Sequence, residues 1–143
     1  MEKLDSILFY SLEKAIKSYR QFAQHNIIKS GFDLTIDQWL VLKAIQGNPD
    51  CTQQEIAHVV FKDFASVTRM IELLVKKQYL TRAIHGDDRR RFSLTLTAKA
   101  LSTIKAMQPL TEANRKAALA GITKEGMTQI QQNLLKIIEN CNA

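Results

Sequence analysis

Apolar residues recur at helical spacing through most of the chain and alternate only near its middle. Leu4, Ile7, Leu8, Leu12, Ala15, Ile16, Tyr19 and Phe22 form one long stripe. It predicts a first helix over about Glu2 to Lys29, with Gly31 ending it as a C-terminal glycine. Thr35-Ile36-Asp37-Gln38 fits a capping box, in which a hydroxyl and a side-chain carbonyl satisfy backbone N–H groups at a helix start. The helix it opens carries Trp39, Leu40, Leu42 and Ile45 and stops near Gly47-Asn48-Pro49-Asp50, where Asn-Pro is a turn signal. Thr52-Gln53-Gln54-Glu55 is a second such box, followed by Ile56, Val59 and Val60 as an apolar stripe. Asp63 is placed to cap a longer helix running to about Gln78. Phe64, Val67, Ile71, Leu74 and Val75 predict its core side and leave Ser66, Arg69, Glu72 and Lys76 largely outward.

Thr81 to Ile84 and Phe92 to Leu96 read as strands, the second alternating Phe92, Leu94 and Leu96 against Ser93 and Thr95. Thr97 then caps a helix with Leu101, Ile104, Met107 and Leu110, which Pro109 is expected to kink or interrupt. A last helix begins near Thr123 and carries Met127, Ile130, Leu134, Ile137, Ile138 and Cys141 on one face.

A short helix, a sharp turn, a longer helix and a hairpin make a winged helix-turn-helix, so the predicted fold is mainly α with a small β-hairpin. From Asp63 to Gln78 the second helix of the pair spans about 24 Å, a length that fits the major groove of B-DNA. The two terminal helices are strongly amphipathic. Packing on the core accounts for some of that surface, but one small core between residues 34 and 97 does not account for both stripes. Pairing across a two-fold axis does, through an interface above roughly 2,000 Å² in total. We therefore expect one domain over residues 1–143, with a DNA-binding lobe at 34–97 and a dimerisation lobe formed by 1–30 and 98–143.

The 143 residues suffice for one well-formed core, and 45% hydrophobic and 24% charged residues are ordinary for a soluble globular protein. The net charge of +6 is uneven. Residues 62 to 91 hold eight Lys/Arg against four Asp/Glu, most of the excess, and they coincide with the expected reading unit. No apolar run is long enough to span a bilayer and the N-terminus lacks a signal-peptide core, so no membrane association and a cytoplasmic location are expected. Cys51 and Cys141 are far apart and outside any CxxC, which suggests neither a zinc ribbon nor a disulfide framework; two small apolar residues are the simpler reading.

Arg69, with Thr68 and Ser66, is the most plausible base-reading set, because Arg bonds guanine O6 and N7 bidentately and short hydroxyls reach base edges or phosphates. A solvated helix face is the bland alternative. Lys62, Lys76 and Lys77 suit phosphate or solvent, and Glu72 marks where contact ends or pairs with Lys76. In the hairpin loop, Asp88, Arg89, Arg90 and Arg91 carry the charge, and periodicity does not decide which Arg points inward. His25, His58 and His85 are too scattered for a metal site. No phosphate loop, nucleophile elbow or zinc-protease motif is present, so neither an enzyme nor a cofactor is expected.

The run Asp88-Arg89-Arg90 followed by Leu94-Thr95-Leu96-Thr97 resembles the wing signature of MarR-family transcriptional regulators. Leu34-Thr35-Ile36-Asp37-Gln38-Trp39-Leu40-Val41-Leu42 and Ser66-Val67-Thr68-Arg69 are also similar to that family. Two family glycines are replaced: Gln78 stands where Lys-Gly-Leu is usual, and Ala100 where Leu-Thr-x-x-Gly is usual. The resemblance implies a homodimeric repressor of double-stranded DNA, with Arg90 entering the minor groove and Asp88 orienting it. It also implies a small-molecule effector bound between the dimer helices and the reading lobe, where Phe9, Tyr10, Tyr19, Phe32 and Trp39 are candidate lining residues. Aromatics at such spacing are more often core. Relatives that sense peroxide use a cysteine in the first helix, and this first helix has none. The competing function class is an adapter that keeps the fold and turns its basic wing on an acidic protein partner.

Overall fold

The computed structural model describes residues 1–84, 86 and 92–143. Among these residues six α-helices and one hairpin follow in the order α1 (Leu8–Lys29), α2 (Ile36–Gly47), α3 (Gln53–Val59), α4 (Phe64–Lys76), β1 (Leu80–Ile84), β2 (Phe92–Leu96), α5 (Ala98–Ala118) and α6 (Lys124–Cys141). The capping chemistry decides five of the helix starts. Thr35 and Thr52 each close a full capping box with Gln38 and Glu55, and Asp63, Thr97 and Thr123 accept from the third backbone N–H of their helices. The uncapped start is at α1, which begins at Leu8 instead of Glu2. The Ser6 hydroxyl donates to the Lys3 carbonyl at 2.7 Å, and residues Leu4–Ser6 form a 3-10 turn with Ile7 extended.

α3 and α4 pack on α2, and β1 pairs antiparallel with β2 in the register Leu80 to Leu96 through Ile84 to Phe92. The core runs through Val41, Leu42, Ile56, Val67, Ile71, Leu74 and Leu80, and it draws in Ile27 from α1 and Ala100, Ile104 and Met107 from α5. Cys51 packs beside this core, whereas Cys141 is exposed. Ala100 is fully buried.

Several expectations are corrected. α5 runs through Pro109 without interruption. Pro109 lies on the exposed side, as does Lys105, whose carbonyl loses its helical partner there and is left to solvent. Val59 and Phe64, expected on core faces, are exposed. α4 ends at Lys76, short of Gln78, because Gln78 takes φ +67. Its N–H donates to Val75 at 3.0 Å and that of Tyr79 to Leu74 at 2.9 Å, the two bonds of a Schellman cap. Glutamine thus does at strain what glycine does freely. Gln78→Gly is expected to stabilise the fold by about 1 kcal/mol. In a melting experiment at fixed protein concentration that corresponds to a rise of about 3 °C, and no rise would show that the cap is unstrained.

The terminal helices give this core little beyond Ile27. In α1 only Ala23 and Ile27 are buried, and in α6 no residue is. Leu8, Phe9, Ile16, Ile130, Leu135 and Ile138 are all exposed in the single chain. Among the described residues no helix is long and apolar enough to cross a membrane.

Candidate nucleic-acid interface

α4 is fixed at its first turn by Asp63. Its Oδ1 accepts the Ser66 backbone N–H at 2.7 Å and its Oδ2 the Ser66 hydroxyl at 3.0 Å. The backbone N–H of Ser66 first, and then its hydroxyl, hold the Asp63 carboxyl below its ordinary value. A carboxyl depressed in the folded state contributes stability that is fully present above the unfolded value of 3.8 and is lost as pH falls through the lower folded one. Asp63→Asn keeps a good N-cap and removes this titration. The variant is expected to show a smaller fall in melting temperature than the parent between about pH 5 and pH 3, and an identical fall would mean that the cap does not titrate.

The same serine holds the base-reading candidate. Arg69 Nη2 donates to Ser66 Oγ at 3.2 Å, so a chain of Asp63, Ser66 and Arg69 restricts the guanidinium before any ligand arrives. Arg69 shares the exposed ridge of α4 with Ala65, Glu72 and Lys76. Among the described residues no ion pair joins Glu72 to Lys76. Thr68 Oγ1 donates to the Phe64 carbonyl at 3.0 Å and accepts a short bond from Gln53 Nε2. Both short hydroxyls are therefore engaged within the protein, Ser66 to set Arg69 and Thr68 to join α4 to the start of α3.

Lys62 stands at the turn between α3 and α4, with its ammonium 3.5 Å from Asp37 Oδ2. The other oxygen of Asp37 takes Arg20 of α1 at 2.5 Å. Lys77 bonds Asp33 at 3.1 Å. Asp88, Arg89, Arg90 and Arg91 lie outside the described residues. The flanking strands put Arg82 over the Phe92 ring at 4.8 Å. A cleft of about 480 Å³ opens between the hairpin, α4 and the start of α3, lined by Gln53, Phe64, Thr68, Glu72, Arg82 and Phe92 among others. Gln53, Phe64 and Arg82 were not among the expected site residues. Their signal is weak in sequence: each belongs to a different element, and only the fold brings them to one wall.

The effector candidates are distributed instead of gathered. Tyr19 lines a shallow cleft between α1 and the end of α5 with Phe22 and Ala118, Tyr10 lines another along α1, and Phe32 and Trp39 pack against the core. Among the described residues no group of three His, Cys, Asp or Glu side chains is placed to hold a metal ion.

A sequence model described as the MarR family matches residues 32–91, the span from the start of α2 through the hairpin loop. Over those 60 of its 143 residues the chain is similar to the MarR family. The match agrees with the resemblance carried by the helix and wing motifs of the sequence. Solved structures share the fold over nearly the whole chain. Bordetella bronchiseptica BpsR, whose DNA binding is regulated by 6-hydroxynicotinic acid, matches at a TM-score of 0.86 and 23% identity, covering 96% of each chain. A cysteine-to-serine mutant of E. coli MarR in complex with operator DNA matches at 0.85 and 18%, covering 96% of this chain and 99% of that one. S. aureus MepR in its DNA complex matches at 0.83 and 19%, covering 94% and 98%. In this shared fold α4 is the second helix of the helix-turn-helix and the hairpin is the wing.

Proposed function

We propose that this protein is a cytoplasmic, homodimeric repressor of the MarR type that binds a pseudo-palindromic operator and leaves it when a small-molecule effector changes the spacing of its two reading heads. Residues 34–97 read the DNA, and residues 1–30 with 98–143 pair the two copies. The observation that carries this reading is the outward ridge of α4, on which Arg69 is held by Ser66 and Asp63 while remaining exposed. An exposed, pre-oriented Arg on a helix of this length suits bidentate contact with guanine, and the N-terminal half of such a helix is what meets base edges. Lys62 and Lys76 flank it for phosphate contact. In the wing, Arg90 reads minor-groove width with Asp88 orienting it, and Arg89 and Arg91 contact phosphates.

The effector reading draws support from BpsR, which responds to a small aromatic acid, and from the Tyr19 cleft, which lies where α1 meets α5. Selection of bound duplexes from a random pool tests the whole. Enriched sequences are expected to contain two inverted half-sites whose centres lie about 10 base pairs, or a multiple of that, apart. A panel of small aromatic acids, beginning with 6-hydroxynicotinic acid, then tests release in a mobility shift. Failure to enrich any sequence over a scrambled control would remove the operator reading, and enrichment with no release by any acid would remove this effector class.

A further inference from the structure

Two aromatic side chains stand in solvent at the start of the recognition helix. Phe61 is 90% exposed and Phe64 is 55% exposed. Phe61 also occupies a backbone conformation that a bulky side chain rarely takes, with φ +61. It closes α3 where glycine is usual: its N–H donates to His58 at 3.3 Å and that of Lys62 to Ala57 at 3.0 Å, again a Schellman cap. Strain of this kind is commonly offset by burial of the side chain, and Phe61 gains none. Three residues on, Phe64 opens α4 and presents its ring to the cleft shared with Gln53, Thr68 and Phe92.

Folding alone does not account for either ring, and their place does suggest a use. Both lie at the N-terminal end of α4, the end of a recognition helix that meets base edges. The cleft around Phe64 joins the amides and hydroxyls of Gln53, Gln54 and Thr68 to the apolar Phe92 and Leu94, with Arg82 on its wall, a positive charge that suits a phosphate-bearing partner. The edge of the major groove offers one apolar group, the C5-methyl of thymine. We propose that Phe61 and Phe64 form an apolar reader of thymine methyl groups, adding a preference for thymine beside the guanine contact assigned to Arg69. This inference rests on the DNA-reading role of α4 proposed above.

The experiment removes the methyl groups and nothing else. A duplex selected from the random pool by the full-length protein is synthesised with thymine or with deoxyuridine, which pairs identically but lacks the C5-methyl. The unaltered protein is expected to bind the deoxyuridine duplex more weakly, by about fourfold per methyl contacted and ~15-fold with one contact in each half-site. Phe64→Ala and Phe61→Gly are expected to bring the ratio of the two affinities toward one. Phe61→Gly should melt no lower than the parent, because glycine suits the left-handed position, so a fall in its thymine preference is not a folding defect. Equal affinity of the unaltered protein for the two duplexes would overturn the inference and leave the DNA reading intact. The same ratio in the parent and both variants would also overturn it. Failure to select any duplex would remove the DNA reading itself, and with it this inference.

Discussion

Replacing both Ile130 and Ile138 by lysine is expected to turn the protein from a dimer into a monomer and to lower operator affinity by at least about 100-fold. Both side chains are exposed on α6, at 45% and 54%, on a helix that buries nothing in its own chain. Burying an isoleucine side chain contributes about 1.5–3 kcal/mol, and a two-fold axis presents each substitution twice. With about half of each side chain left to bury, four lost isoleucines remove roughly 3–6 kcal/mol, a large part of the ~8 kcal/mol that a micromolar association supplies. Two half-sites are then no longer engaged by one particle. Light scattering reads the mass, and titration of a selected duplex reads the affinity. The recognition lobe should persist, because its core at Val41, Leu42, Val67 and Leu74 is remote from α6. An unaltered protein that is monomeric at micromolar concentration, or a doubly substituted one that stays dimeric, would place the pairing surface elsewhere.

The second large effect is expected at Arg69. Removing a bidentate reader in Arg69→Ala should reduce discrimination between operator and random DNA by about 1–3 kcal/mol, or roughly 5- to 150-fold. Lys76→Ala, which removes an exposed point charge at the far end of the same ridge, should weaken both duplexes nearly equally. Ser66→Ala should lose part of what Arg69→Ala loses, since it frees the guanidinium to sample other rotamers without removing it. Titration against matched and scrambled duplexes separates the three. If Arg69→Ala weakens both duplexes alike, Arg69 is a phosphate contact and base reading lies with other residues.

How much of this was legible in the chain follows from the range over which each feature is decided. Caps at Thr35, Thr52, Asp63 and Thr97 are set within four residues, and the structure has all four, with Thr123 capping the last helix where it was expected to begin. The helical spacing of Val67, Ile71 and Leu74 marks a buried face correctly. The same spacing fails for Phe64 and Val59, because periodicity assigns a residue to a side of a helix and does not say whether another element covers it there. The left-handed positions at Phe61 and Gln78 carry no glycine, so nothing local announces them. Gln53 meets Thr68 across fifteen residues, and Lys62 meets Asp37 across the α2–α3 connection. Such partners exist only after folding. Pro109 signals a break that the buried residues on either side of it, Met107 and Asn114, override.

The pairing of Lys62 with Asp37 and of Lys77 with Asp33 bears on how the protein senses ionic strength. A bare ammonium that meets a phosphate expels a condensed cation from the DNA, and each such expulsion steepens the fall of affinity with salt. An ammonium already holding a carboxylate must let it go first; Asp33 would then gather a cation from solution, while Asp37 would keep Arg20. Uptake then offsets release. In the proposed complex Lys76 is expected to contribute its full share to that steepness and Lys77 little, with Lys62, which shares Asp37 with Arg20, between them. On the proposed DNA-binding role, a chain with a net charge of +6 is expected to be less easily driven from its site by salt than its count of basic residues implies.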